Sequence, residues 1–146
     1  MARIIIVDDD KDMCQLISEI LREESYEVNI SYNGEDALSK IKENSYDLVI
    51  LDYKLIGISG LVVLEKARQV RPFTKVIMIS AYGNDYTKAK ARELGAFDFI
   101  DKPFDIEILT QKVKDILIKK TTEENLKTRW LFLEKVYIEI ESCKKK

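Results

Sequence analysis

Histidine is absent from this sequence of 146 residues, and cysteine occurs twice. A cation site therefore has no imidazole to draw on. Cys14 and Cys143 are too few and too far apart in sequence for a disulfide framework, a zinc site or a redox motif, and reduced thiols are expected. Charge of one sign is also lacking: the net charge is −2, so non-specific binding to nucleic acid has no electrostatic support from composition. No apolar run approaches the length of a membrane span, and no basic leader or cleavage site precedes the first apolar run at Arg3. A cytoplasmic protein without membrane contact is expected. Low-complexity tracts and internal repeats are missing, and the length suits one domain with a sizeable core.

What is present is a set of acids closing apolar runs. Asp8 and Asp9 follow Ile4-Ile5-Ile6-Val7, and Asp52 follows Leu48-Val49-Ile50-Leu51. Both runs read as buried strands of a parallel sheet, and in open α/β sheets ligands sit outside the carboxyl ends of the strands. All three acids then share one rim. Two carboxylates about 4 Å apart repel by roughly 4 kcal/mol at an effective dielectric of 20, so a cluster of three calls for protonation or a bridging cation. Hard oxygen ligands with no histidine or cysteine among them favour Mg²⁺.

Apolar runs alternate with helical patterns along the chain. Strands are predicted near Arg3–Val7, Glu27–Ser31, Asp47–Leu51, Lys75–Ile79 and Phe97–Ile100, with Phe97 a core residue. Met13, Leu16, Ile17, Ile20 and Leu21 have helical spacing, as do Ala37, Leu38 and Ile41, and Leu61, Val62, Leu64 and Ala67. Asn33, Asn84 and Asp105 mark helix starts, and Gly95 marks a stop. Right-handed crossovers favour an α/β fold, a five-stranded doubly wound parallel sheet of order 2-1-3-4-5, with a helical C-terminal extension.

From about Ala2 to Lys119 the sequence resembles the receiver domains of two-component response regulators, of the single-domain type with an extension, on the flavodoxin-like fold. Ile-Ile-Val-Asp-Asp-Asp supplies the acidic pair Asp8 and Asp9, and Leu-Asp-Tyr-Lys-Leu-Ile-Gly-Ile-Ser-Gly places the phosphoacceptor at Asp52. Met-Ile-Ser-Ala-Tyr-Gly supplies the hydroxyl of Ser80, and Ile-Asp-Lys-Pro-Phe supplies Lys102 before Pro103. The resemblance implies that Asp9, Asp52 and the backbone carbonyl of Lys54 hold Mg²⁺, with Asp8 acting through a water. It also implies that Ser80 and Lys102 contact the phosphoryl oxygens, and that the Lys102-Pro103 bond is a candidate cis peptide. Ser80 and Phe99 are the implied switch pair. Lys54 and Tyr82 fall where this family flanks the phosphoryl group, and their bulk leads us to expect slow self-dephosphorylation. The family's usual Met-Pro after the acceptor is Leu55-Ile56 here, which removes proline's fixed backbone angle, and Gly57 follows it.

Residues 1–119 are thus read as the receiver and 120–146 as the extension. In the latter, Thr121-Thr122-Glu123-Glu124 suggests a fresh helix start with a capping box. Leu126, Trp130, Leu133, Tyr137 and Ile140 form a heptad-like stripe, and Val136, Ile138 and Ile140 also permit a strand. Three fates remain open for its aromatic residues: docking on the protein's own surface, a dimer or partner interface, and a strand. From Lys119 onward there are eight basic and five acidic residues, ending in a solubilising Lys144-Lys145-Lys146. No helix-turn-helix of ordinary length fits, so direct DNA binding is not expected.

The expected function is a phosphoacceptor switch rather than an enzyme of turnover. A sensor histidine kinase or phosphotransfer protein is the expected donor. Output is expected through a downstream partner or self-association, using the face of the fourth helix, fifth strand and fifth helix or the tail. The alternative is a degenerate receiver-like module that does not use phosphate. A flavodoxin-type cofactor site is disfavoured because Asp8-Asp9-Asp10 stands where a phosphate loop belongs. An aspartate-dependent phosphohydrolase is disfavoured because Lys54, not aspartate, lies two residues after Asp52.

Overall fold

The structure is a computed structural model that describes residues 1–81 and 83–144, without the side chains of 119–128. Five parallel strands, β1 (Arg3–Val7), β2 (Glu27–Ser31), β3 (Leu48–Asp52), β4 (Lys75–Ser80) and β5 (Asp98–Asp101), form one sheet of order β2-β1-β3-β4-β5. Helices α1 (Lys11–Glu23), α2 (Gly34–Glu43), α3 (Gly60–Val70), α4 (Asp85–Glu93) and α5 (Ile106–Lys144) complete it. The expected doubly wound order is the observed one.

Period-two alternation in the central strands explains why both faces are covered. Ile5, Val7, Val49, Leu51, Val76 and Met78 share one buried cluster with Ala37, Leu38 and Ile41 of α2, and with Val63, Leu64 and Ala67 of α3. Ile4, Ile6, Leu48, Ile50, Ile77 and Ile79 alternate with them and are equally buried. On α1 the buried face is Cys14, Ile17, Ser18 and Leu21. The expected face included Leu16, which is 49% exposed; Cys14 takes its place, as a small apolar thiol fits one turn before Ser18.

Helix starts are fixed by side chains. Asn33, Ser59 and Asn84 accept bonds from the backbone N–H of Asp36, Val62 and Thr87. Gly95, one residue past the Leu94 cap of α4, has φ +101°, the left-handed conformation that ends helices on glycine. Phe97 is a correction: it lies just ahead of β5 and is 46% exposed, with the Lys75 ammonium 4.8 Å from its ring centre. It precedes the edge strand β5, beyond which no further strand pairs among the described residues.

Two compact units are present, Met1–Val113 and Lys114–Lys146. Helix α5 runs unbroken from Ile106 to Lys144, so the fresh start expected at Thr121 and the strand reading of the tail are both overturned. Helix propagation adds one hydrogen bond per residue and needs no second nucleus, which makes continuation cheaper than a restart. The expected capping box and Leu126 lie outside the described side chains. Trp130, Phe132 and Tyr137 are 63–66% exposed in this chain, which leaves a dimer or partner interface open as their cover. No helix among the described residues is long and apolar enough to cross a membrane.

Candidate functional site

Strand register assembles the site. Val7 pairs with Leu51 and Asp52 with Ile79, so Asp8, one residue beyond β1, comes level with Asp52 at the end of β3. Ser80 pairs with Asp101, which puts Lys102 one residue beyond β5 on the same rim. The backbone N–H of Lys102 donates to the Ser80 carbonyl at 2.8 Å, extending the ladder past the last strand pair. Adjacent strands are about 4.8 Å apart, so the ends of β1, β3 and, beyond β4, β5 deliver Asp8, Asp9, Asp52 and Lys102 to one cleft.

That cleft has a volume of about 300 Å³ and is lined by Asp8, Asp9, Asp52, Lys54, Ala81 and Lys102 among others. Asp8 and Asp52 are 4% and 7% exposed, and carboxylate oxygens of Asp8, Asp9 and Asp52 all lie within 4.8 Å of one another. Lys102 Nζ stands 3.2 Å from Asp8 Oδ2 and 3.4 Å from Asp52 Oδ1. One ammonium thus serves two buried carboxylates. Burial, then the neighbouring Asp8 carboxylate, push the Asp52 carboxyl up to about 6, with Lys102 opposing them. Burial works to lower the Lys102 ammonium, but Asp52 and Asp8 together hold it above its ordinary value.

Three hard anionic oxygen donors with a single compensating cation suit a small divalent ion. Mg²⁺ therefore fits the residues present. Asp10, third in the acidic run, is occupied elsewhere: its side chain caps α1 by accepting from the Met13 N–H at 3.1 Å. Its own N–H donates to Asp8 Oδ1 at 3.0 Å, which orients the Asp8 carboxylate.

Each expected residue within the described part of the chain has a definite place. Ser80 is buried at the end of β4. The Lys102-Pro103 bond is cis. Phe99 is partly buried against the core cluster, and the Lys88 ammonium lies 5.6 Å from its ring centre. Lys54 lines the cleft. Tyr82 lies outside the described residues. Two supporting residues were not foreseen. Gly60 opens α3, where a Cβ would land on the Asp52 carbonyl and within 2.8 Å of Tyr53 Cα; its N–H donates to the Tyr53 carbonyl at 2.9 Å. Cys14 Sγ donates to the Asp8 carbonyl at 3.3 Å from beneath the site, and burial followed by the charges of Asp8 and Asp10 pushes its thiol up to about 12. Only the glycine had a sequence signal, as an unusual first residue after the Ser59 cap.

The fold, the acidic cluster and the lysine across from it define a class. Residues 4–114 match the response regulator receiver domain family, and the chain belongs to that family. It is 35% identical over 135 residues to the response regulator ArlR of Staphylococcus aureus, covering 92% of this chain and 61% of that protein. Among solved structures, the CheY-like receiver domain protein of Methanospirillum hungatei superposes with a TM-score of 0.81 at 34% identity, over 84% of this chain and 98% of that one. The BeF3-activated DrrB receiver domain gives 0.74 at 36% identity, over 80% and 97%. This chain spans about three fifths of the length of its curated relatives, and those relatives lend no support to the expectation that DNA binding is absent.

Proposed function

We propose that the chain is a phosphoacceptor of two-component signalling, with residues 1–119 as receiver and 120–146 as extension. The observation that carries the reading is the shared ammonium: Lys102 Nζ within 3.4 Å of both Asp8 and Asp52 at the rim where β1, β3 and β5 end. A buried nucleophile beside a second carboxylate and a mobile cation is the arrangement that anionic phosphoryl transfer requires.

An ionised Asp52 oxygen attacks phosphorus of a phosphohistidine on a kinase or phosphotransfer protein. The new O–P bond gives an acyl phosphate, the P–N bond breaks, and the imidazole keeps that electron pair and takes a proton. Asp9, Asp52 and the Lys54 carbonyl would hold Mg²⁺, with Asp8 acting through a water, and the ion would offset the negative charge gathered at the acceptor. Lys102 exchanges its carboxylate partner for a phosphoryl oxygen, and Ser80 donates to another. Lys54 and Tyr82 shield the product from water and slow its hydrolysis.

A switch moves only by the difference in phosphoryl stabilisation between its two forms. Ser80 and Phe99 convert that difference into packing. Lys88 ties α4 to β5 through Asp101 at 2.8 Å, and Lys112 ties α5 to β5 through Asp98 at 2.7 Å. Changes around Phe99 therefore reach the face that α4, β5 and the start of α5 present to a partner. Incubation with Mg²⁺ and radiolabelled acetyl phosphate tests the reading. Label is expected in the wild type, with loss in EDTA and in Asp52→Asn. Incorporation that ignores both controls contradicts it, as does no incorporation.

A further inference from the structure

The second compact unit, Lys114–Lys146, ends in a helix segment with large apolar side chains in water. Trp130, Leu133, Tyr137 and Ile140 are 63%, 62%, 64% and 50% exposed. Their spacing of three, four and three residues lays all four on one stripe of an α-helix. Val136 and Cys143 border the stripe on one edge, and Glu134 and Glu141 on the other. Arg129 lies on the Val136 edge, two turns earlier. Leaving such side chains in water forgoes about 1.5–3 kcal/mol for each one that a partner would bury.

We infer that this stripe is a self-association surface, covered by the same stripe of a second copy of the chain with the two helices parallel and in register. Charge placement selects that occupant. With Trp130 and Tyr137 at heptad positions a, and Leu133 and Ile140 at d, Arg129 falls at g and Glu134 at e. In a parallel pair, g of one helix faces the e residue five positions on in the other. Each Arg129 therefore meets a Glu134 of the other copy, and two-fold symmetry makes the pair twice.

Area points the same way. An aromatic side chain brings roughly 150–250 Å². Trp130 and Tyr137 with Leu133, Val136 and Ile140 from two chains reach on the order of 1,200 Å², the lower end of a specific interface. The association uses the second unit alone and is independent of the phosphoacceptor reading, so each stands or fails by itself.

The test is the solution mass of the full chain without phosphodonor, by light scattering at concentrations up to about 100 µM. Twice the chain mass is expected. Leu133→Glu with Ile140→Glu should return the mass to that of one chain while leaving acetyl phosphate labelling of Asp52 unchanged. Arg129→Glu should weaken association by about tenfold, and adding Glu134→Arg should restore it, because the paired swap re-forms both contacts. In a Cys143→Ser background, Ile140→Cys should form an intermolecular disulfide under mild oxidation, since facing d positions of a parallel pair bring Cα atoms within about 7 Å. A single-chain mass for the wild type overturns the inference. So does a dimer that survives the double glutamate change, fails to respond to the charge swap, or does not cross-link at residue 140.

Discussion

Gly60 and Asp52 are in main-chain contact: the first residue of α3 presses against the Asp52 carbonyl so closely that a Cβ would land on it. The turn from Tyr53 to Ser59 is thereby drawn back onto β3, with the Gly60 N–H to Tyr53 carbonyl bond closing it. Because the contact is to backbone at both ends, no side-chain rotation relieves it. Gly60→Ala should destabilise the protein by about 1–3 kcal/mol, the usual cost of overpacking. Its melting temperature should fall by several degrees and its Mg²⁺ titration midpoint should rise, both readable by thermal denaturation across a metal series.

Asp52 carries a cost in the metal-free protein. Its carboxyl titrates near 6 when folded and near 3.8 otherwise, so the folded state disfavours the ionised form. The penalty is complete above about pH 6 and vanishes as pH falls below 3.8, which means this residue's contribution makes the protein more stable on acidification across that window. At 1.36 kcal/mol per unit, the penalty at pH 7 is at most about 3 kcal/mol. Asp52→Asn in EDTA should therefore melt higher than the wild type at pH 7, and the gap should close toward pH 4.

On the proposed reading, Lys102, at 3.2 Å from Asp8 and 3.4 Å from Asp52, competes with Mg²⁺ for the same oxygens. Removing it leaves two buried carboxylates facing each other. Lys102→Ala should lose about 1–3 kcal/mol in EDTA at neutral pH, a value below that of a fully buried pair because the ammonium is partly exposed. Mg²⁺ should bind the variant more tightly, by roughly threefold to tenfold, since one positive charge has left the site. Calorimetric titration measures both the sign and the size.

On the proposed reading, the side chains of residues 54 and 82 set the lifetime of the acyl phosphate. Lys54→Ala combined with Tyr82→Ala should shorten it by about tenfold, equivalent to 1.4 kcal/mol of hydrolytic barrier. Loss of label over time after removing the donor gives the rate. An unchanged lifetime removes the shielding role from this pair.

Much of this arrangement was legible from the residues. Continuous apolar runs at Ile4–Val7 and Leu48–Leu51 announced central parallel strands, and the acids that closed them announced the rim, because strand ends in such sheets converge. The capping role of Asp10 was not legible: which acid caps α1 depends on where the helix begins relative to the strand, a matter of one residue. Phe97 read as core because an apolar letter in a strand pattern does not show that the strand begins one residue later, at Asp98. The tail misled for a different reason. Thr121-Thr122-Glu123-Glu124 has the composition of a cap, but a capping sequence inside an existing helix carries too little energy to stop it. Gly60 was visible as a letter, and only the distance to Asp52 gives that letter a purpose.

The central claim is that Asp52, and no other carboxylate, accepts phosphorus. Borohydride reduction of protein treated with Mg²⁺ and acetyl phosphate, followed by peptide mapping, tests it directly because the reagent attacks only the acyl phosphate. The account predicts the reduced side chain at residue 52 in the wild type, absent without donor. Reduction at Asp8 or Asp9 with residue 52 untouched would contradict it.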